Sequence, residues 1–126
     1  MKPEAALHRS VARYLDVALP PDAFWWHTPN GGKRGKIEAA QFKAMGVKAG
    51  IPDLFILHQG KLHAIELKAE KGTVRASQKD AAYKLMLAGC TTHVCRSVAA
   101  VEEALRLNGV PLRAKSMGIA IIREAA

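Results

Sequence analysis

The sequence predicts an α/β domain, a mixed β-sheet with helices on its faces. Three observations lead there. A helical periodicity at the N-terminus gives way to two strand-like apolar runs at the centre, those runs are joined by a two-residue turn, and two further helices with clear end signals enclose a later strand. With 126 residues and no repeats or low-complexity linkers, the chain fits one domain, residues 1–126, built around one core.

From Pro3 to about Ala18 the apolar residues Leu7, Val11, Tyr14, Leu15 and Ala18 recur three and four apart, and Pro3 suits a first helical turn. Glu4 lies one turn before Leu7 and His8 on the inward stripe, where it either favours the helix dipole or serves a site. The helix stops at "LPPD". Next, "FWWHTPNGGKRGK" mixes aromatics, turn formers and cations, which predicts an exposed loop turning at Asn30-Gly31-Gly32. A phosphate-binding P-loop is excluded, because Gly31 to Lys36 is one residue short between its glycines and Ile37 stands where Ser or Thr is needed.

Glu38 to Met45 reads as a short helix ended by Gly46 in the left-handed cap position. Asp53–His58 and Lys61–Lys68 read as strands of an antiparallel hairpin turning at Gln59-Gly60, both apolar on each face and therefore central. A helix from about Arg75 to Ala88, capped by Gly89, precedes the strand "THVCRS" and a helix from Val98 to Asn108 that starts at the cap Ser97. The order is α, α, β, β, α, β, α. In the tail, 110–126, "GIAII" fits an edge strand or an apolar strip covered by a partner chain.

A net charge of +8 and a pI near 9.8 favour a polyanionic partner, nucleic acid first and anionic membrane second. No run approaches the roughly 18 apolar residues of a membrane span, and "MKPEAALHRS" lacks a signal-peptide core, so a soluble cytoplasmic protein is expected. Cys90 and Cys95 flank His93 in "CTTHVC", but no second pair of ligands stands at metal-site spacing, and reduced thiols are expected.

The charged residues of the hairpin need a reason. Glu66 and Lys68 lie two apart on one strand face, and a turn at 59 and 60 sets Asp53 across from Glu66. Two carboxylates and an ammonium then converge at one end of the sheet. Either Glu66 pairs with Lys68 as a structural salt bridge, or the carboxylates hold a hard divalent cation for phosphodiester hydrolysis, which the basic chain and the Asp53 register favour.

"PD" at Pro52-Asp53 followed by "ELK" at Glu66-Leu67-Lys68 resembles the PD-(D/E)XK nuclease signature. The surroundings "HTPNGGKR", "MGVKAGIPDLFIL", "AIELKAEKG" and "SQK" resemble its VRR-NUC branch, over about Glu4 to Glu103. This resemblance implies a restriction-endonuclease-like fold and a DNA endonuclease that uses Mg2+, with Mn2+ able to substitute. It also implies metal binding by Glu4, Asp53, Glu66 and the backbone carbonyl of Leu67, with Lys68 as the catalytic lysine. Gln78, early in the next helix, either completes the site or caps the helix. Relatives usually carry a serine-like cap where this chain has Arg75, which is instead a candidate for phosphate contact. Lys33, Arg34 and Lys36 are candidates for gripping the nucleic-acid backbone. Trp25 and Trp26 either stack on bases or belong to core or interface, and His27 is open between similar roles.

Resemblance to stand-alone members further implies a homodimer acting on branched DNA such as four-way junctions, with "MGIAII", Trp25-Trp26 and the helix face near Leu105 as interface candidates. Two other readings compete. One is a catalytically silent nucleic-acid-binding domain; the other is a flap-cutting or restriction-type nuclease, for which 126 residues leave little room for base reading.

Overall fold

In a computed structural model, which describes residues 3–29, 35–117 and 120–123, the N-terminal periodicity becomes helix α1, Pro3–Ala18. Val11, Tyr14, Leu15 and Ala18 form its buried stripe. Strand β1 follows at Ala23–His27, inside the stretch expected to be a loop. Ala23 and Trp25 are half-buried on one face while Phe24 and Trp26 are exposed on the other, aromatic side chains suit a pleated surface, and pairing from Ala23↔His58 to His27↔Leu54 fixes the strand against the next one. The expected turn at 30–32 lies outside the described residues.

Helix α2, Lys36–Ala44, starts two residues earlier than expected and ends before Gly46, whose φ of +99° is the anticipated left-handed conformation. No residue of α2 is buried. Strands β2, Leu54–His58, and β3, Lys61–Leu67, form the expected hairpin, paired from Leu54↔Ile65 to His58↔Lys61. Gln59 and Gly60 both take positive φ, 50° and 77°, as a tight hairpin turn requires.

After β3 the chain crosses over through helix α3, Ala76–Leu87, to β4, Thr91–Cys95, which runs parallel to β3. The sheet order is β1-β2-β3-β4, with β2 and β3 central as anticipated. Helix α4, Val98–Leu107, begins at Ser97, whose hydroxyl accepts the Ala100 N–H at 3.0 Å. Among the described residues the tail forms a separate two-stranded sheet, in which β5, Ala114–Met117, pairs with β6, Ala120–Arg123. They are tied to α1: the Tyr14 hydroxyl donates to the Ala114 carbonyl at 2.9 Å and the Arg113 N–H to the Ala18 carbonyl at 2.8 Å.

Alternation sends Leu54, Ile56, Ile65 and Leu67 to one face of the sheet, where they pack with Val11 and Leu15 of α1 and Val101 and Leu105 of α4. Phe55 and Ala64 face the other way, with Cys90 and Leu85 of α3. Two interface candidates are thereby corrected. Leu105 is buried in this core because α4 turns its apolar stripe inward, and Trp25, on the inward face of β1 with Ala23, packs at the core's edge with its indole N–H donating to Asp16 at 2.9 Å. Trp26 remains partly exposed, stacked on Phe55 with ring centroids 5.4 Å apart. Among the described residues no helix is long and apolar enough to cross a membrane.

Candidate active site

Where β2 begins and β3 ends, the hairpin register sets Asp53 beside Glu66 and Leu67. One Asp53 carboxylate oxygen accepts the Leu67 N–H at 2.7 Å. The Asp53 main-chain carbonyl accepts the Thr28 N–H at 2.8 Å and meets His27 Nδ1 at 2.9 Å. A carbonyl only accepts, so His27 carries its proton on Nδ1 and a neutral ring presents Nε2 as an acceptor. Asp53 is thus held through side chain and backbone by two different strands.

Glu66 and Lys68 are both buried. Lys68 Nζ lies 3.5 Å from Glu66 Oε2, which also accepts from the Gln78 side-chain amide at 2.9 Å. Glu66 Oε1 is buried and has no hydrogen-bond partner among the described residues. Burial and then the nearby Asp53 charge push the Glu66 carboxyl up to about 7, with Lys68 pulling the other way. A buried carboxylate left this incompletely compensated is a site that a cation would stabilise.

Gln78, for which the sequence leaves cap and site open, makes a contact of each kind. Its side-chain carbonyl accepts the Arg75 N–H at 2.9 Å, capping α3, while its amide holds Glu66. Arg75 occupies the N-cap position, and a guanidinium has no acceptor to offer the helix. Capping therefore falls to Gln78. The preceding loop fixes where α3 starts: Gly50, at φ +76°, lies so close that a Cβ there would come within 2.2 Å of the Ser77 carbonyl oxygen.

From the other side, α1 brings Glu4 and His8, one helical turn apart, to Asp53. Ligand atoms of the three lie within 4.8 Å of one another, and His8 Nε2 is 3.8 Å from Asp53 Oδ2. The His8 ring meets His27 edge-on at 5.2 Å. These residues line a cavity of about 550 Å³. The sequence named Glu4 but not His8; the available signal was the four-residue spacing from Glu4 on the inward stripe. Carboxylate oxygens with one imidazole suit Mn2+ as well as Mg2+.

Of the other sequence candidates, Leu67 gives its N–H to Asp53. Lys36 is exposed at the start of α2, and Lys33 and Arg34 lie outside the described residues. Arg75 lines a larger cavity, about 1010 Å³, between α2 and the start of α3.

The sequence profile of the VRR-NUC domain matches residues 6–99. The chain belongs to the VRR-NUC family. That match takes in β1 to β4 and every site residue named above except Glu4, which precedes it, and the β5–β6 ribbon lies beyond it. A solved structure described as a VRR_NUC domain protein is similar in fold, with a TM-score of 0.61 and 24% identity, covering 85% of this chain and 88% of that one. It bears out the mixed sheet flanked by helices. No curated protein matches the chain. VRR-NUC membership makes this a nuclease-family domain, and its candidate site is the Asp53–Glu66–Lys68 cluster with Gln78, Glu4 and His8 around it.

Proposed function

We propose that the protein is a Mg2+-dependent DNA endonuclease, with Mn2+ able to substitute, that hydrolyses phosphodiester bonds in branched DNA. The observation that supports this most directly is the buried Glu66 carboxylate, one oxygen without a hydrogen-bond partner among the described residues, set beside Asp53 and Lys68. Asp53 and Glu66, with Glu4 and His8, would hold the metal. A metal there supplies a water of lowered pKa and neutralises charge building on the phosphoryl oxygens. Lys68, within reach of Glu66 Oε2, stabilises that developing charge or orients the attacking water. Gln78 fixes the Glu66 oxygen that faces it, and the Leu67 N–H fixes Asp53.

Branched DNA and a homodimer follow from counting sites. One domain holds one cluster, a four-way junction needs two symmetric nicks, and closed assemblies of identical chains are most often twofold. With Leu105 and Trp25 buried or half-buried, the exposed apolar residues left for an interface include Phe24 and Trp26 on β1 and Tyr83, Met86 and Leu87 on α3.

The test is cleavage of linear, flapped and four-way DNAs with and without Mg2+, using Asp53→Ala and Glu66→Ala as controls. Both variants are expected to lose metal-dependent cleavage and to keep DNA binding. Full activity in Asp53→Ala would sink the assignment. Light scattering then gives the solution mass, and mixed dimers with one Asp53→Ala chain are expected to nick a junction without resolving it. A monomeric mass at working concentrations would remove the dimer and leave the nuclease standing.

A further inference from the structure

Two cavities flank the start of β2, and their linings are opposite in charge. The smaller contains the carboxylates of Glu4 and Asp53 with one cation, Arg9, whereas the larger contains Lys43, Lys48 and Arg75 and no carboxylate among the described residues. They are neighbours through the chain itself: His27 and Asp53 line the first, and Thr28 and Ile51 line the second. Gln78 faces the larger cavity and is hydrogen-bonded to Glu66. A strand lying in the cationic cavity would therefore lead directly to the carboxylates.

The cationic wall is built by α2 and the turn after it. This nine-residue helix has no fully buried residue, only Phe42 half-buried, and is followed by the exposed Met45 and Val47, so little apolar packing accounts for it. Among the described residues, Lys43, Lys48 and Arg75 are exposed and form no ion pair, which leaves their charge open to a polyanion. Phe42 and Val47 give the same cavity an apolar edge. Cations spaced around an apolar edge suit a strand that offers phosphates alternating with sugars and base faces.

We infer that the cavity between α2 and the start of α3 is the track for the nucleic-acid strand next to the bond to be cut, with Lys43, Lys48 and Arg75 contacting its phosphates. This rests on the proposed nuclease reading and adds the substrate's path and a role for Lys43 and for Lys48, the latter inside the family-like stretch "MGVKAGIPDLFIL". Arg75 thus has a role its N-cap position cannot give it, since its backbone serves the helix and its side chain serves the strand.

The experiment measures anisotropy of a fluorescein-labelled splayed DNA duplex against salt, without divalent metal, so that binding is read apart from cleavage. Lys43→Ala, Lys48→Ala and Arg75→Ala are each expected to lower the log–log salt slope by about 0.9 for a duplex contact or about 0.7 for a single-stranded one. Lys43→Arg and Lys48→Arg keep the charge and are expected to keep the slope. Lys61→Ala, at the turn end of the hairpin, is the control and should match the unaltered protein. Unchanged slopes and affinities in all three alanine variants would overturn the inference, even if cleavage confirms a nuclease. A change in solution mass on Lys43→Glu with DNA affinity intact would overturn it too, since the groove would then belong to a second copy. DNA binding that depends on these residues in a protein that cleaves nothing would uphold the track and defeat the nuclease reading.

Discussion

Replacing Gly50 by alanine tests whether the loop before β2 positions the candidate site through α3. The added Cβ would sit 2.2 Å from the Ser77 carbonyl oxygen, 2.4 Å from its carbon and 2.7 Å from the Gln78 nitrogen. Ordinary contact begins at about 3.4 Å, so the first turn of α3 must withdraw by about 1 Å. The left-handed φ of +76° adds roughly 1–2 kcal/mol for a residue with a Cβ. Withdrawal carries Gln78 with it, stretching a 2.9 Å bond to Glu66 past useful length. The expected stability loss is about 2–4 kcal/mol, read as the urea midpoint. Cleavage by the fraction that remains folded should fall about 100-fold, the usual consequence of a 1 Å misplacement around a reacting centre. Gly50→Ala with an unchanged midpoint and unimpaired cleavage would refute this coupling.

Three further outcomes are expected. In metal-free protein, Glu66 holds its proton up to about 7 when folded, against 4.5 as its ordinary value, so the native state binds more protons in that window and stability falls as pH rises through it. The loss from this group amounts to at most about 3 kcal/mol, and Glu66→Gln should flatten it in thermal melts; parallel pH profiles for the two proteins would contradict it. His8→Ala should weaken Mn2+ binding, measured by calorimetry, by roughly 10-fold or more while leaving the fold intact, and an unaltered affinity would remove His8 from the metal cavity. Tyr14→Phe deletes the bond to the Ala114 carbonyl and should cost about 1 kcal/mol by urea denaturation, the smaller end of the range because the Arg106 guanidinium also donates to that oxygen at 3.2 Å.

The parts legible in the sequence were those fixed by local chemistry. The limits of α1 followed from Pro3 and the spacing of its stripe, and the Asp53–Glu66 juxtaposition followed from a two-residue turn, because a short hairpin allows one register. What escaped depended on partners far along the chain. The aromatic run of β1 is too short to outweigh its turn-forming neighbours, and it becomes a strand only by pairing with β2 about thirty residues later. His8 reads as one more residue on an inward stripe until Asp53 arrives beside it. Gln78 invited a choice between cap and site because sequence offers each role separately, whereas a side-chain amide has two ends and can serve both. Leu105 and Trp25 looked like surface in need of a partner, and their partner is the chain's own core.

The tie between α1 and the β5–β6 ribbon has a consequence for how the molecule is made. Helix α1 is made before its anchors, since Arg113 and Ala114, which hold its far end, are synthesised about 95–100 residues later. At usual elongation rates that is a delay of roughly 5–20 s. During it, the helix that carries Glu4 and His8 lacks these two hydrogen bonds at its far end. The last hydrogen bonds on α1 are therefore made by residues synthesised long after the helix itself.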